Sequence, residues 1–192
     1  MTLSIAENVK VSFDYAKNIL VGKWVDWLLL IVFTIIPVVN FIGIGRYLKI
    51  FRGEDPSMDD IGKCFMDGLF VFVIGFIYLI IPMIVAVIFA IIPIIGWIID
   101  LVIMVAAAAL LIPAIYNFAN KGFGAAFAIK ESIAEIKQMG VGAYLISIVV
   151  FMLLFLVIAL LNIIPVIGTI LGFVVMPFLL IMGFKYIANL LA

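Results

Sequence analysis

The stretch Gln138 to Phe184, QMGVGAYLISIVVFMLLFLVIALLNIIPVIGTILGFVVMPFLLIMGF, runs for 47 residues without one charged side chain. A helix needs about 20 apolar residues to cross roughly 30 Å of hydrocarbon, so the run is too long for one span and reads as two helices joined by a turn. The turn falls at Ile163-Ile164-Pro165-Val166-Ile167-Gly168. Proline removes a backbone donor and disfavours helix at the residue before it, and a Gly three places later tolerates positive φ.

The phrase has two further copies. Ile91-Ile92-Pro93-Ile94-Ile95-Gly96 lies inside Gly68 to Asn120, where Asp100 is the only charge, and Ile35-Ile36-Pro37-Val38-Val39-Asn40 lies near the start. Pro37 with Asn40, Pro93 with Gly96 and Pro165 with Gly168 are therefore three helix-stop and turn cassettes, the alternative being a proline kink in one long helix. Leu28 to Gly45 has room for only one span, so the first hairpin must be short or must draw on residues upstream of Trp24.

A soluble domain does not accommodate this composition. Of the 192 residues 69% are hydrophobic and 11% charged, against roughly 45–50% and about 25% in ordinary globular proteins. A fold of this size keeps much of its surface in contact with its surroundings, so lipid must supply the missing interior. With 11 Lys plus Arg against 11 Asp plus Glu, no bulk charge attracts nucleic acid. The absence of His removes His-based acid/base relays, His-metal sites and Ser-His-Asp triads. The single Cys64 has no disulfide partner in the chain and reads as a passive thiol. No cofactor or metal is expected, and the chain does not read as an enzyme. Glu7, Lys10, Asp14 and Lys17 precede any long apolar run, the wrong order for a cleavable signal peptide, so the first membrane segment is expected to stay.

Before each cassette stands a segment with helical amphipathicity. Ile5, Val9, Ala16 and Leu20 share one stripe, Ile61, Phe65 and Leu69 a second, Ile129, Ile133 and Ile136 a third. In the third, Lys130 and Lys137 flank the apolar stripe while Glu131, Glu135 and Gln138 lie opposite, as in a helix resting in a headgroup layer. Tyr47, Tyr116 and Tyr186 recur after the hairpins, near the return to water, as belt aromatics do. The expected fold is all-α, a single polytopic membrane domain over 1–192 with about six transmembrane helices. It is built as three direct repeats, 1–52 with a short hairpin, 53–120 and 121–192.

If each cassette turns on one face, all 11 cationic residues, Lys10, Lys17, Lys23, Arg46, Lys49, Arg52, Lys63, Lys121, Lys130, Lys137 and Lys185, fall on the other. By the positive-inside rule both termini and both long loops are then cytoplasmic, in a multi-pass protein of the cell membrane.

Gly45-Arg46-Tyr47-Leu48, then Arg52-Gly53-Glu54-Asp55, then Phe65-Met66-Asp67-Gly68-Leu69 resemble the archaeal multi-pass membrane family catalogued as domain of unknown function 4013. There a Pro-rich first hairpin is followed by a Gly-Tyr-Leu helix, an Arg-Gly-Glu loop and an Asp-Gly before the next span. The likeness covers most of the chain and is most specific from Pro37 to about Pro82. Ile61 departs from it, standing where the family pattern carries an aromatic residue. The resemblance implies a membrane protein of methanogen type and brings no activity with it.

Asp100 is the candidate intramembrane functional residue, since burying a charge in a span costs on the order of 3 kcal/mol. It stands seven residues after Pro93, about 10 Å below the outer turn. It either reaches water or pairs with neighbours there, or takes a cation or proton, with Tyr78, Asn162 and Thr169 as polar companions. Gly168 and Gly172 form a GxxxG pair, which lets helix backbones approach closely, within the chain or between protomers. Pro82, Pro113 and Pro177 interrupt three spans, as broken helices do in transporters, although such prolines are common in passive spans. The acidic stretch Glu54, Asp55, Asp59, Asp60 and Asp67 lacks EF-hand spacing and reads as a solvated loop.

These features favour a non-enzymatic membrane scaffold, lipid-contacting module or accessory subunit whose partners are lipids, a second copy or a larger membrane complex. The other reading is a small-solute or ion transporter that uses Asp100 and the Pro-broken helices.

Overall fold

The computed structural model describes residues 4–57, 59–89, 91–92, 94–164 and 166–191, and all regular structure among them is helical. In chain order the helices are α1 (Ile5–Leu20), α2 (Trp24–Ile35), α3 (Asn40–Phe51), α4 (Ile61–Phe89), α5 (Ile95–Lys121), a 3₁₀ helix (Phe123–Phe127), α6 (Ile129–Met139), α7 (Val141–Leu161) and α8 (Ile167–Leu191). Ser4 and Glu7 start α1 with reciprocal bonds: the Ser4 Oγ accepts from the Glu7 amide, and the Glu7 carboxylate accepts from the Ser4 amide. Together they satisfy two donors that a helix start otherwise leaves open.

Four helices, α4, α5, α7 and α8, are long and apolar enough to cross a membrane. The arms of the first hairpin are not, since α2 and α3 have 12 residues each, about 18 Å of helix. The expected six helices are thus four of spanning length and two short ones. Helices α1 and α2 pass as a span only together, and they meet at 103°.

The short hairpin lies against the first turns of α4. A Cβ on Gly68 would meet the Phe41 carbonyl oxygen at 1.9 Å, and one on Gly45 would meet that of Cys64 at 1.9 Å. Two glycines therefore let α3 and α4 touch backbone to backbone. Phe41 also meets Phe65 edge-on and Phe72 at a tilt, so the tip at residues 36–39 reaches the level of the twelfth of the 29 residues of α4. Because α3 runs back along the first turns of α4, Arg46, Lys49 and Arg52 share an end of the bundle with Lys63.

The three cassettes share one backbone bond. The amide of Asn40 donates to Ile36, that of Gly96 to Ile92 and that of Gly168 to Ile164, at 2.8, 2.9 and 2.8 Å. Pro93 and Pro165 themselves lie outside the described residues. The expectation that Gly96 and Gly168 take positive φ is corrected: Ile94 at 67° and Val166 at 64° do so. The two glycines are the second residues of α5 and α8 and serve close approach instead, with a Cβ on Gly96 meeting the Phe89 oxygen at 2.1 Å and one on Gly168 meeting that of Leu161 at 1.7 Å.

Pro82, Pro113 and Pro177 lie inside α4, α5 and α8, which run through them. The expected interruption of these spans is corrected. The second amphipathic segment is not separate, because α4 begins at Ile61 and runs unbroken to Phe89. Its packed face there is Cys64, Asp67 and Gly68, while Ile61 is exposed. On α1 the expected Val9, Ala16 and Leu20 pack inward, Asn8 and Ser12 join them, and Ile5 is exposed. In the first turns of α4 small and polar side chains thus face inward while Ile61 and Met66 face out, the arrangement suited to a lipid surround.

The buried cluster gathers toward the end where α3, α5 and α8 finish, with Tyr47, Leu48, Phe51, Phe118, Ile181 and Tyr186 among its members. Tyr47 and Tyr186 are core residues, a correction to their placing as belt aromatics; Tyr47 packs on Phe184. The exposed tryptophans are Trp24 and Trp97, 65% and 74% accessible, one at each end of the molecule. Near the turns, α4, α5, α7 and α8 present large apolar side chains outward, Val87, Ile98, Met152 and Ile170 among them.

Candidate functional site

Polar chemistry is concentrated at the end of the bundle that carries the cations. Arg52 closes α3 by donating from Nη1 to Asp67 of α4 at 2.6 Å and from Nε to the Ala119 carbonyl of α5 at 2.9 Å. Asn120 returns a bond to the Phe51 carbonyl. Three helices are thereby tied through one guanidinium, whose pair with Asp67 is largely withdrawn from solvent. Lys121 meets Glu131 and Glu135 of α6, and Asn117 donates to Glu135, holding α6 to α5. Across the bundle Asn8 donates to the Tyr186 carbonyl and accepts from Asn189, binding α1 to α8.

The same end holds a cleft of about 150 Å³ walled by Lys23, Asp26, Arg46, Asp55, Pro56 and Ser57. Arg46 is 2% exposed. Its Nε and Nη2 both donate to the Pro56 carbonyl, at 3.0 and 2.7 Å, and Nη2 lies 3.8 Å from the Asp26 carboxylate. Its Nη1 is buried with no hydrogen-bond partner among the described residues. Burial holds the guanidinium pKa below the ordinary arginine value, with Asp26 opposing. Nearby, burial and then the Asp55 charge push the Tyr15 phenol up to about 12. In the sequence Lys23 reads as a topology marker, and Arg46 as that and as part of the Gly45-Arg46-Tyr47-Leu48 motif, with no site expected at either. The signal for more was present in NFIGIGRYLKIF, where Arg46 falls between apolar residues of a helix too short to hide it from its neighbours.

Asp100 lies at the opposite end, in a cleft of about 240 Å³ between α4 and α5 walled by Ala86, Phe89, Gly96 and Trp97. Its Oδ1 is buried and has no hydrogen-bond partner among the described residues. The polar companions proposed for it are committed elsewhere. Tyr78 donates to the Ala126 carbonyl at 2.8 Å, fixing the 3₁₀ helix against α4, and Thr169 donates to Asn162 at 3.1 Å across the last turn. The structure therefore brings Asp100 and Gly96 together and leaves Tyr78, Asn162 and Thr169 apart from them. Gly172 faces Ile158 of α7 in ordinary contact, 3.5 Å from where a Cβ would stand.

A family model described as protein of unknown function (DUF4013) matches residues 28–167, and the chain belongs to that family. The match takes in Arg46 and Asp100 and runs from within α2 to the first residue of α8. No curated protein and no solved structure matches.

Proposed function

We propose that this member of the family is a non-enzymatic module of the cell membrane, a lipid-contacting scaffold or accessory subunit, without cofactor or metal. The observation that carries the reading is the division of labour along the bundle. Polar side chains such as Arg52, Asp67, Asn8 and Asn117 bond within the chain at one end, while the spanning helices offer apolar side chains outward over their remaining length. Such a surface suits lipid tails or other apolar helices. The three cassettes with their common backbone bond support a threefold repeat of hairpins, the first of them re-entrant. The placement of the cations supports cytoplasmic termini. Helix α6, with Ile129 and Ile133 exposed and Ser132 turned inward, and α1, crossing the foot of α8, suit the headgroup layer on that side.

Reconstitution tests this. In vesicles of phosphatidylcholine and phosphatidylglycerol the purified chain should resist alkaline extraction, associate with itself or with a co-purifying membrane protein, and pass no more Na⁺, K⁺ or H⁺ than empty vesicles.

A second reading, a small-solute or ion transporter, is favoured by the unpartnered Oδ1 of Asp100 in its cleft, because an ionisable group at membrane depth marks ion or proton pathways. Flux abolished by Asp100→Asn would put it first.

A further inference from the structure

The cleft at the foot of the first hairpin has a composition that selects a ligand. It holds two cations, Lys23 and Arg46, and two carboxylates, Asp26 and Asp55. Arg46 keeps a buried Nη1 without an acceptor, and leaving such a donor unmet is unfavourable. Lys23 is exposed on the same cleft and makes no ion pair among the described residues. The open ammonium of Lys23 calls for an anion, and a guanidinium beside an ammonium is a phosphate-binding pair. A bare phosphate, however, would face Asp26 and Asp55. A group carrying phosphate and ammonium together offers partners to Lys23, Arg46 and Asp55, while Asp26 stays beside Arg46. Beside the cleft, α2 turns Trp24, Val25, Leu28 and Val32 outward, an apolar track that begins at the level of the charges and climbs away from them.

We propose that the cleft holds the headgroup of an amine-bearing phospholipid, its phosphate between Lys23 and Arg46, its ammonium toward Asp55 and its acyl chains along α2. This rests on the lipid-contacting reading and names its partner. Phosphate and ammonium are shared by intact phosphatidylethanolamine and by free phosphorylethanolamine. The track on α2 favours the intact lipid, which would be held as a fixed constituent at the base of the re-entrant hairpin.

The test uses the full chain in detergent, titrated with dioleoyl phosphatidylethanolamine, dioleoyl phosphatidylglycerol or phosphorylethanolamine, with bound molecules counted by native mass spectrometry. Lys23→Gln and Asp55→Asn alter exposed side chains and leave Arg46 in place. Phosphatidylethanolamine should bind more tightly than phosphatidylglycerol by about three- to fivefold, the worth of one exposed charge pair. Lys23→Gln should weaken both lipids by a similar factor, and Asp55→Asn should remove the preference between them. Equal binding of the two lipids by the unaltered chain, or indifference to both substitutions, overturns the headgroup site while leaving the lipid-contacting function standing. Phosphorylethanolamine binding as tightly as the intact lipid also overturns it, since the acyl track then contributes nothing. A chain that retains no lipid of any kind overturns both.

Discussion

Gly168 lies beneath the carbonyl of Leu161, seven residues back across the last turn, so closely that a Cβ would stand 1.7 Å from the oxygen. Gly96 and Phe89 repeat the relationship in the preceding hairpin at 2.1 Å. These contacts are to backbone and cannot be relieved by a side-chain rotation. A Cβ on Gly172, one turn further along α8, would meet only side-chain ends in ordinary contact, Ile158 at 3.5 Å and Asn162 at 3.7 Å. The two glycines of the GxxxG pair are therefore unequal. Gly168→Ala should destabilise the purified protein by about 1–3 kcal/mol, the usual cost of overpacking, whereas Gly172→Ala should leave it nearly unchanged, as read by denaturant titration in detergent micelles. Gly172→Ala that halves the oligomer mass without touching monomer stability would place Gly172 between protomers.

Cassette recognition depended on local chemistry, and local chemistry is what sequence carries. Ile36-Pro37, Ile92-Pro93 and Ile164-Pro165 each predict a turn because proline acts on its own neighbours, and the described residues around them carry the shared turn bond. What escaped was the direction in which helices face. Hydrophobic periodicity selected Ile61, Phe65 and Leu69 on α4, and the packed face proved to be Cys64, Asp67 and Gly68, since the apolar face has lipid as an alternative partner and close packing goes to small and bonded polar residues. On α1 the expected Val9, Ala16 and Leu20 do pack inward, and Asn8 and Ser12 join them because they find bonds there. Asp100 was legible because a lone charge in an apolar run needs no structure to notice. The cleft around Arg46 was not, because it assembles from Lys23, Asp26 and Asp55 only after α1, α2, α3 and the following loop have come together.

The half-depth hairpin changes what a labelling experiment should find. Val38 at its tip is exposed, yet it sits at the level of the first third to half of α4. A cysteine at Val38 in the Cys64→Ser background should therefore stay unlabelled by a membrane-impermeant maleimide from either side of sealed vesicles, while one at Trp97, at the far end, should label from a single side. Labelling of Val38 from the same side as Trp97 would mean that α2 and α3 cross.

Arg52 and Asp67 form a pair with side chains 15% and 12% exposed, so removing one partner strands the other. Asp67→Ala should cost about 3–5 kcal/mol, the range for breaking buried pairs. Arg52 would retain only its bond to Ala119. Replacing both, as Arg52→Met with Asp67→Leu, should cost less than the single change, because no uncompensated charge is left behind. Chemical unfolding of the three variants reads the difference, and a double variant weaker than Asp67→Ala would mean that the Arg52 bond to the Ala119 carbonyl of α5 contributes more than the ion pair to α4.

Asp100 separates the two functional readings, and its surroundings give the terms. The carboxylate stands near the turn between α4 and α5, beside the exposed ring of Trp97, in a cleft whose other walls are Ala86, Phe89 and Gly96. A transport site at this position needs further ligands or a relay of titratable groups, and among the described residues Asp100 is the only ionisable side chain on the cleft wall. A scaffold, by contrast, needs only that the charge reach water or a partner's donor at the membrane surface. Asp100→Asn keeps shape and hydrogen bonding while removing the charge, so under the scaffold reading stability, oligomer mass and vesicle leakiness should all match the unaltered protein. Asp100→Leu then divides the structural possibilities. If Oδ1 merely lies unpaired against α4, the leucine should hold stability or raise it by about 1 kcal/mol, because a buried polar atom without a partner is replaced by an apolar one. If a donor from a second copy or another membrane protein meets that oxygen, the leucine should break the association while the monomer remains folded. A cation or proton current present with Asp100, and lost in both variants without loss of folding, would give the cleft to the transporter reading.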